Sequence, residues 1–574
     1  MKKYLLYILA SVSLASCYDL DRFPQDKINS GIFWQTEDHA KQAVMGVYAD
    51  LRSNEAFGYA AFLDCVSDIG SGFDAYSYEA IFRGNMTPRS PSYVLDKWKA
   101  LYDGIARANV VLQNIDAVDM KEETRNAMVG ESKFLRALYY NELMKYYGGV
   151  PLYDESVVVA EDFSGMLKLR SSEEETRAFV LKDLTDAIGL LPVKWAEADY
   201  GRATKGAAYA LRAKVYLYNK NYTDAIKDFE EIVKDPDGQG YGYSLAEDYA
   251  KLFTPEGDQD AEMIFAIQNS GGAGMNYGMP FAFHMGTRST YGSCWNNVMP
   301  SSNLVDMYEN KDGSSFNWDE WFPNFNESND VKSEVLMSDL NTSNLLAAYT
   351  PYREKLLEMW ESRDPRLNTN VILPYTIYKG WTSDAPKDCE FIIQRTGSPH
   401  ESNGMIRNSV STSYRPYLWR KFVPEYDMNG LITSREHTPI NFPIIRYADV
   451  LLMLAECYNE TGKQSEAVGL VNQIRARVHM PGINSGAAFL EARTKEQVFE
   501  RIKRERAFEL AAEGHRYHDI KRWGLGDKMI AGPEYDMMGT LWYMRKFEER
   551  DYLWPIPGSE IDTNPELTQN KGWD

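Results

Sequence analysis

The sequence predicts a mostly α-helical protein, in which tetratricopeptide-like helix pairs form a scaffold under a loop-rich, partly β lobe. Three observations lead there. Apolar residues recur with helical period over 36–51, 98–115, 128–147, 173–190, 204–219, 223–234, 444–459, 464–479 and 496–512. Two stretches share one helix–turn–helix layout. In the first, Leu211, Ala213 and Leu217 precede a turn at Asn221-Tyr222, followed by Ala225, Phe229 and Ile232. In the second, Leu451, Leu454 and Ala455 precede a turn at Thr461-Gly462, followed by Ala467 and Val471. Small residues at close approaches with large ones between them are what such pairs require, and about four pairs are expected. Third, 66–97 and 235–443 are rich in Gly, Asn, Ser, Pro and aromatics and poor in helical period. Irregular segments of that length in a compact protein are usually functional.

From the N-terminus, residues 1–16 read as a signal peptide. Lys2 and Lys3 are its positive start, Tyr4 begins an apolar run, and Leu14-Ala15-Ser16 are the last residues before Cys17. That ending resembles the bacterial lipobox, in which cleavage leaves Cys17 N-terminal and acylated. Such a chain is anchored to a membrane and does not span it. Tyr18-Asp19-Leu20-Asp21 bears a weak similarity to signals for export to the cell surface. Residues 17–574 are then expected to form one domain, with the region of about 235–443 inserted into the helical scaffold. Thr36 suits the N-cap of the first helix, with Glu37 and Asp38 in its first turn. Trp98 belongs to a core helix face. The runs 262–268 and 390–395 read as strands.

Composition narrows the function. The 574 residues carry 62 Lys and Arg against 83 Asp and Glu, a net charge of −21. Such a field repels phosphate backbones and argues against a nucleic-acid partner. Mean hydropathy is −0.46, and beyond the first residues no apolar run is long enough to span a bilayer. Cys65, Cys294, Cys389 and Cys457 could pair as two disulfides, although a chain of this size does not need them, and Cys457 within VLLMLAECY reads as a buried thiol. With no CxxC and no His/Cys cluster, neither a metal site nor a cofactor is expected. A structural calcium ion on loop carbonyls would leave no sequence signal.

Several motifs invite a catalytic reading that their context argues against. His515 and His518 share a helix face, but Gly514 interrupts the helix and no further His or Cys lies near. Glu500, Arg501, Lys503, Arg504, Glu505, Arg506 and Glu509 alternate in sign, as in structural ion pairing. Gly271-Gly272-Ala273-Gly274 lacks the Lys-Ser/Thr and the helix start of a phosphate loop. Asp319 and Glu320 are one of many carboxyl pairs that 83 acids produce by chance, and a glycosidase needs two held at a set separation. There is no GxSxG. An enzyme is not expected.

The aromatic residues are the positive signal. They make up 13% of the chain, and several fall in loops beside polar residues. Phe73, Tyr76, Tyr78 and Phe82 lie near Asp64, Asp68 and Arg83. Trp295 adjoins Asn296, Trp318 and Trp321 lie in FNWDEWFPNF, and Trp381 lies further on. A sugar ring has an apolar C–H face that stacks on an aromatic ring, while its hydroxyls need Asp, Asn or Arg in the ring plane. These residues are the candidate glycan contacts. Packing of each aromatic onto the scaffold is the competing reading.

At the level of whole blocks the sequence resembles the SusD/RagB family of outer-membrane glycan-binding lipoproteins. The similarity runs through 33–51, 98–115 and 131–153 to FPIIRYADVLLMLAECYNE (442–460), ERIKRERAFELAAEGHRYHDIKRWG (500–524) and the closing 552–573. Residues 326–350 and 384–440 match nothing in it. The resemblance implies a lipid-anchored, surface-exposed, non-catalytic protein. It implies that the protein caps a SusC-type TonB-dependent outer-membrane transporter and passes oligosaccharides or polysaccharides to it. Peptide cargo is the alternative within the family, and a pure interaction scaffold the alternative outside it.

Overall fold

The computed structural model describes residues 33–90, 93–157, 164–269, 277–407 and 414–574. The expected signal peptide, Cys17 and the 271–274 loop lie outside these residues. The scaffold begins with α1 (Glu37–Ala49), α2 (Tyr93–Asn114), α3 (Glu122–Tyr147), α4 (Glu173–Leu190), α5 (Lys205–Tyr218) and α6 (Tyr222–Lys234). It resumes with α7 (Tyr447–Glu460), α8 (Gln464–Arg477), α9 (Lys495–Glu509) and α10 (His515–Arg522). Helices adjacent in the chain stack on one another from α2 to α6; α6 then packs on α7, and α7 on α8 and α9. Among the described residues no helix is long and apolar enough to cross a membrane.

Local chemistry sets the helix starts. Thr36 caps α1 by accepting from the His39 N–H. Ser172 and Glu175 form a capping box on α4, and Thr494 with Gln497 forms another on α9. Thr204 and Asn221 cap α5 and α6, so the predicted Asn221-Tyr222 turn is also a helix start. Trp98 lies in the core, 5% exposed. On the neighbouring layer the Arg136 guanidinium of α3 grips Asp183 of α4 at 2.7 and 2.8 Å.

The lobe consists of short elements, and every sheet among the described residues has two strands. The strands used below are β1 (Gly70–Gly72), β2 (Met263–Ile267), β3 (Val298–Pro300), β4 (Ile377–Thr382), β5 (Ala385–Glu390), β6 (Phe442–Arg446), β7 (Gly532–Tyr535) and β8 (Leu541–Arg545). β2 pairs antiparallel with β6, Phe442 opposite Ile267 and Arg446 opposite Met263. The strand expected at 262–268 is therefore present, and it explains why α7 starts at Tyr447 and not at 444. The strand expected at 390–395 is absent beyond Glu390. Phe391, Ile392 and Ile393 are buried, but their backbone serves separate partners, Ile393 accepting from Ser338 at 2.8 Å and Phe391 from Tyr375.

All four cysteines in the described residues are buried free thiols, so no disulfide forms among them. His515 and His518 are structural. Burial and neighbouring cations lower both, His515 to about 4. Gly514, at φ +74°, must be glycine, because a Cβ there would lie 2.0 Å from the Ala60 carbonyl oxygen.

Part of the mixed-charge block of α9 turns inward: Glu505, Arg506 and Glu509 are buried while Glu500 stays exposed. Glu262, Glu309, Asp364, Glu505, Glu509 and Glu513 meet Arg366, Lys421, Arg446, Arg475, Arg477 and Arg501, with Arg504 3.8 Å from Glu309 at the partly exposed rim. Glu509, fully buried, accepts from Arg446 at 2.7 Å, Arg477 at 2.5 Å and Arg366 at 3.1 Å. Arg446 also holds Glu262 at 2.6 Å and Glu513 at 2.8 Å, and Arg366 holds Asp364 and Glu505. Burial by itself would raise the Glu509 carboxyl, but Arg477, Arg446 and Arg366 together hold it far below the usual range.

Removing one member leaves the others buried and uncompensated, which costs about 3–5 kcal/mol. Glu509→Gln is therefore expected to lower the urea midpoint by that equivalent; an unchanged midpoint would contradict the network's role. Glu509 and Glu513 both sit below their ordinary values. Their stabilisation is thus complete at neutral pH and is lost only as pH falls below about 4.3.

Candidate functional site

The site is built on the β1–β3 ribbon. These three-residue strands pair antiparallel, Gly72 opposite Val298 and Gly70 opposite Pro300. Gly72 permits a close approach, since a Cβ there would meet the Ser77 side chain at 2.1 Å. Leaving β1, Asp74 caps a single helical turn, Ala75–Ser77. Its carboxylate accepts from the Ser77 N–H, and the Ser77 hydroxyl oxygen accepts from the Asp74 N–H. Tyr78 then adopts φ 60°. That reversal decides the fate of two neighbouring tyrosines: Tyr76 is left 39% exposed, while Tyr78 is 3% exposed and packs on Tyr93 and Trp554.

On the other side of the ribbon, the short helix Phe281–Met285 supplies Phe283 and His284. The segment before β3 is pinned to it by Trp295 N–H donating to the Phe283 carbonyl and Asn296 N–H to the Gly286 carbonyl, each at 2.8 Å. Tyr76 lies over the His284 ring, centroids 4.3 Å apart, and is 6.4 Å from Trp295 and 6.1 Å from Tyr59. Trp295 packs on Phe283 at 4.5 Å. Tyr59 and Trp295 are half-buried, so three ring edges and faces share one surface with an imidazole beneath them.

A polar relay holds the imidazole. Asn297 donates its amide N–H to Asp74 at 2.6 Å, which leaves its Oδ1 to accept from His284 Nδ1 at 3.1 Å. This assignment places the His284 proton on Nδ1. Burial, and then the charge of Arg435, push the ring down to about 4, so it is a neutral stacking surface at physiological pH.

The other candidate residues are placed as follows. Asp64 is buried at 1% exposure and accepts from the Ala512 N–H at 2.7 Å. Burial pushes its carboxyl up to about 8. Asp68 is gripped by Arg516 at 2.8 and 2.9 Å. Phe73 is half-buried against Trp542. Phe82 is fully buried and stacks on Tyr543 at 4.7 Å. Arg83 pairs with Glu79 at 2.6 Å and lies over the same Tyr543. Asn296 is buried at φ 38°. Trp318 is 5% exposed, sandwiches Phe325 at 4.1 Å and donates its indole N–H to Asp306, and Trp321 is half-buried against the same core. Trp381, on β4, is half-buried and 5.8 Å from Tyr291.

The structure thus brings Tyr76 and Trp295 together and places Trp381 with a second aromatic. It assigns Asp64, Tyr78, Phe82 and Trp318 to the core. Tyr59, Phe283, His284 and Asn297 were not among the residues expected from sequence. The aromatic run PFAFHM carried a signal for two of them, but Asn297 carried none. Among the described residues no group of three or more His, Cys, Asp or Glu could hold a metal ion.

His284 should show no ring titration between about pH 5 and 8 by proton NMR; a midpoint near 6.5 would contradict its burial under Tyr76. Because its pKa is lowered on folding, its contribution to stability is lost as pH falls below about 6.5.

Known proteins share this architecture. The model of the SusD family matches residues 261–573, and a family described as "Starch-binding associating with outer membrane" matches 22–217. The chain is 26% identical to the SusD-like protein P25 of Formosa agariphila over 99% of its own length and 98% of the relative's. A SusD-like protein of Bacteroides fragilis superposes with a TM-score of 0.74 at 25% identity, covering 96% of this chain and all of that one. Surface glycan-binding protein A of Bacteroides thetaiotaomicron, solved with laminarihexaose, superposes with a TM-score of 0.64 at 19% identity, covering 93% of this chain and all of that one. With more than half its length matched by the family model, this chain belongs to the SusD family.

Proposed function

We propose that this protein captures an oligosaccharide or polysaccharide at the cell surface and delivers it, chemically unchanged, to a SusC-type TonB-dependent transporter in the outer membrane. The observation that carries this reading is the platform formed by the exposed Tyr76 with the half-buried Tyr59 and Trp295 around a neutral His284. Rings at these spacings desolvate the C–H faces of successive sugars while the rim supplies hydrogen bonds. The family description that names starch binding and outer-membrane association supports it, as does the laminarihexaose bound by a protein of the same fold. Acylation of Cys17 would tether the chain to the membrane, and no cofactor is needed for capture. The polar groups beneath the platform are engaged in holding rings. Asp74 serves Asn297 and Ser77, and His284 serves Asn297. A role in cleaving a glycosidic bond is not assigned to them.

The test uses the chain from residue 18 onward, which retains every described element, in affinity electrophoresis and calorimetry against plant, microbial and host glycans. One glycan should bind without release of reducing ends over hours. Tyr76→Ala and Trp295→Ala should each weaken that binding by about tenfold, near 1.4 kcal/mol. Trp321→Ala, away from the platform, should leave it unchanged. Release of reducing ends, or affinity indifferent to both platform variants, would overturn the proposal.

A further inference from the structure

The platform is bordered on its Trp295 side by arginines, in a chain whose net charge is −21. The Arg435 guanidinium lies 4.2 Å over the Phe283 ring and donates to the carbonyls of Gly292 and Ser293 at 3.0 and 2.7 Å. Those contacts position the group without neutralising it. The Arg288 backbone N–H donates to the Arg407 carbonyl at 2.8 Å, and the Arg407 N–H donates to the Ser289 hydroxyl at 3.0 Å, so these two segments run side by side. Arg288, half-buried, has no carboxylate within ion-pairing distance among the described residues. Arg407 is exposed, and its carboxylate contact, Glu401, is 3.4 Å away.

Burial, and then the like charges of Arg407 and Arg435, hold Arg288 below its ordinary range. Arg288 therefore carries a charge that faces two like charges with no carboxylate at ion-pairing distance among the described residues, and folding gains nothing from that. Perturbed, uncompensated charge of this kind concentrates at sites that bind charge. The second aromatic pair continues the line. The Trp381 N–H donates to the Ser289 carbonyl at 2.8 Å, next to Arg288, and Trp381 faces Tyr291. The platform, the arginines and the Tyr291–Trp381 pair therefore form one contiguous edge.

We infer that the cargo is an acidic glycan, whose carboxylate or sulfate groups lie among Arg288, Arg407 and Arg435 while its sugar rings stack on the platform and on Trp381. This rests on the glycan-capture reading above. A guanidinium fork matches either anion with two parallel N–H donors. At physiological ionic strength the Debye length is about 8 Å. The net charge of −21 opposes a polyanion as a whole, and the three arginines offset that repulsion locally, for the anionic groups that lie within this distance of them.

The experiment titrates the chain from residue 18 with polygalacturonate (carboxylate), carrageenan (sulfate), and neutral laminarin and starch. At least one acidic polymer should bind, more weakly as salt rises. Arg288→Gln should weaken it by about tenfold or more, and Arg288→Lys should recover part of the loss. The two acidic polymers show which anion is preferred. Binding of a neutral polymer alone, indifferent to Arg288→Gln, would refute the acidic cargo and leave glycan capture standing. Silence toward both acidic polymers would overturn the acidic cargo, while glycan capture itself is decided by the wider panel of plant, microbial and host glycans.

Discussion

The structure depends first on Glu509, a fully buried carboxylate shared by Arg446, Arg477 and Arg366. Each guanidinium comes from a different part of the chain. Arg446 ends the strand that leads into α7, Arg477 ends α8, and Arg366 belongs to the loop-rich lobe. A single helix turn thus ties the scaffold to the material laid over it. The connection demands neutrality, because any unmatched charge at this depth would be expensive. The pairing of every carboxylate in the network with at least one cation meets that demand. Such networks add little net stability compared with a hydrocarbon core. What this one supplies is register: Glu262 and Arg446 bring β2 against β6, and this pairing closes the chain segment that carries Phe283, His284 and Trp295.

A second, smaller constraint acts at the platform itself. Asp74, Asn297 and His284 form a chain of hydrogen bonds across the β1–β3 ribbon, so the turn that exposes Tyr76 is fastened to the helix that supplies its stacking partner. The rings are thereby held in place before any ligand arrives, which reduces the ordering cost of binding. The arginines beside Trp295 are fastened differently. Arg435 is oriented by two carbonyls and an aromatic face, all uncharged, so its positive charge remains available to a ligand.

The scaffold was legible in the sequence because a helix that buries one face writes that face as a 3.6-residue period, as in 207–232 and 447–474. The lobe was not, because its strands are two to six residues long and many are buried on both sides. GSG and VMP carry no alternation that would mark β1 and β3. The site was half legible. Trp and Tyr beside Asp and Asn drew attention to the loops of the proposed platform, and Tyr76, Trp295 and Trp381 are among the exposed or half-buried rings. But Tyr76 and Tyr78 look alike in sequence, and only the positive φ at Tyr78 separates the exposed ring from the core ring. Asp64 and Trp318 were drawn in by the same composition, yet each has a buried partner far away in sequence, Ala512 for one and Trp360 for the other. Arg288, Arg407 and Arg435 lie up to 147 residues apart, and only the fold reveals them as neighbours.

The ribbon-borne aromatic platform is the proposed meeting place of this protein and its cargo. The most direct measurement is the structure of the chain with an oligosaccharide bound. Sugar rings are expected in van der Waals contact with Tyr76 and Trp295, with an anionic substituent among the three arginines. A ligand seated elsewhere, with the Tyr76 ring left bare to solvent, would contradict that placement.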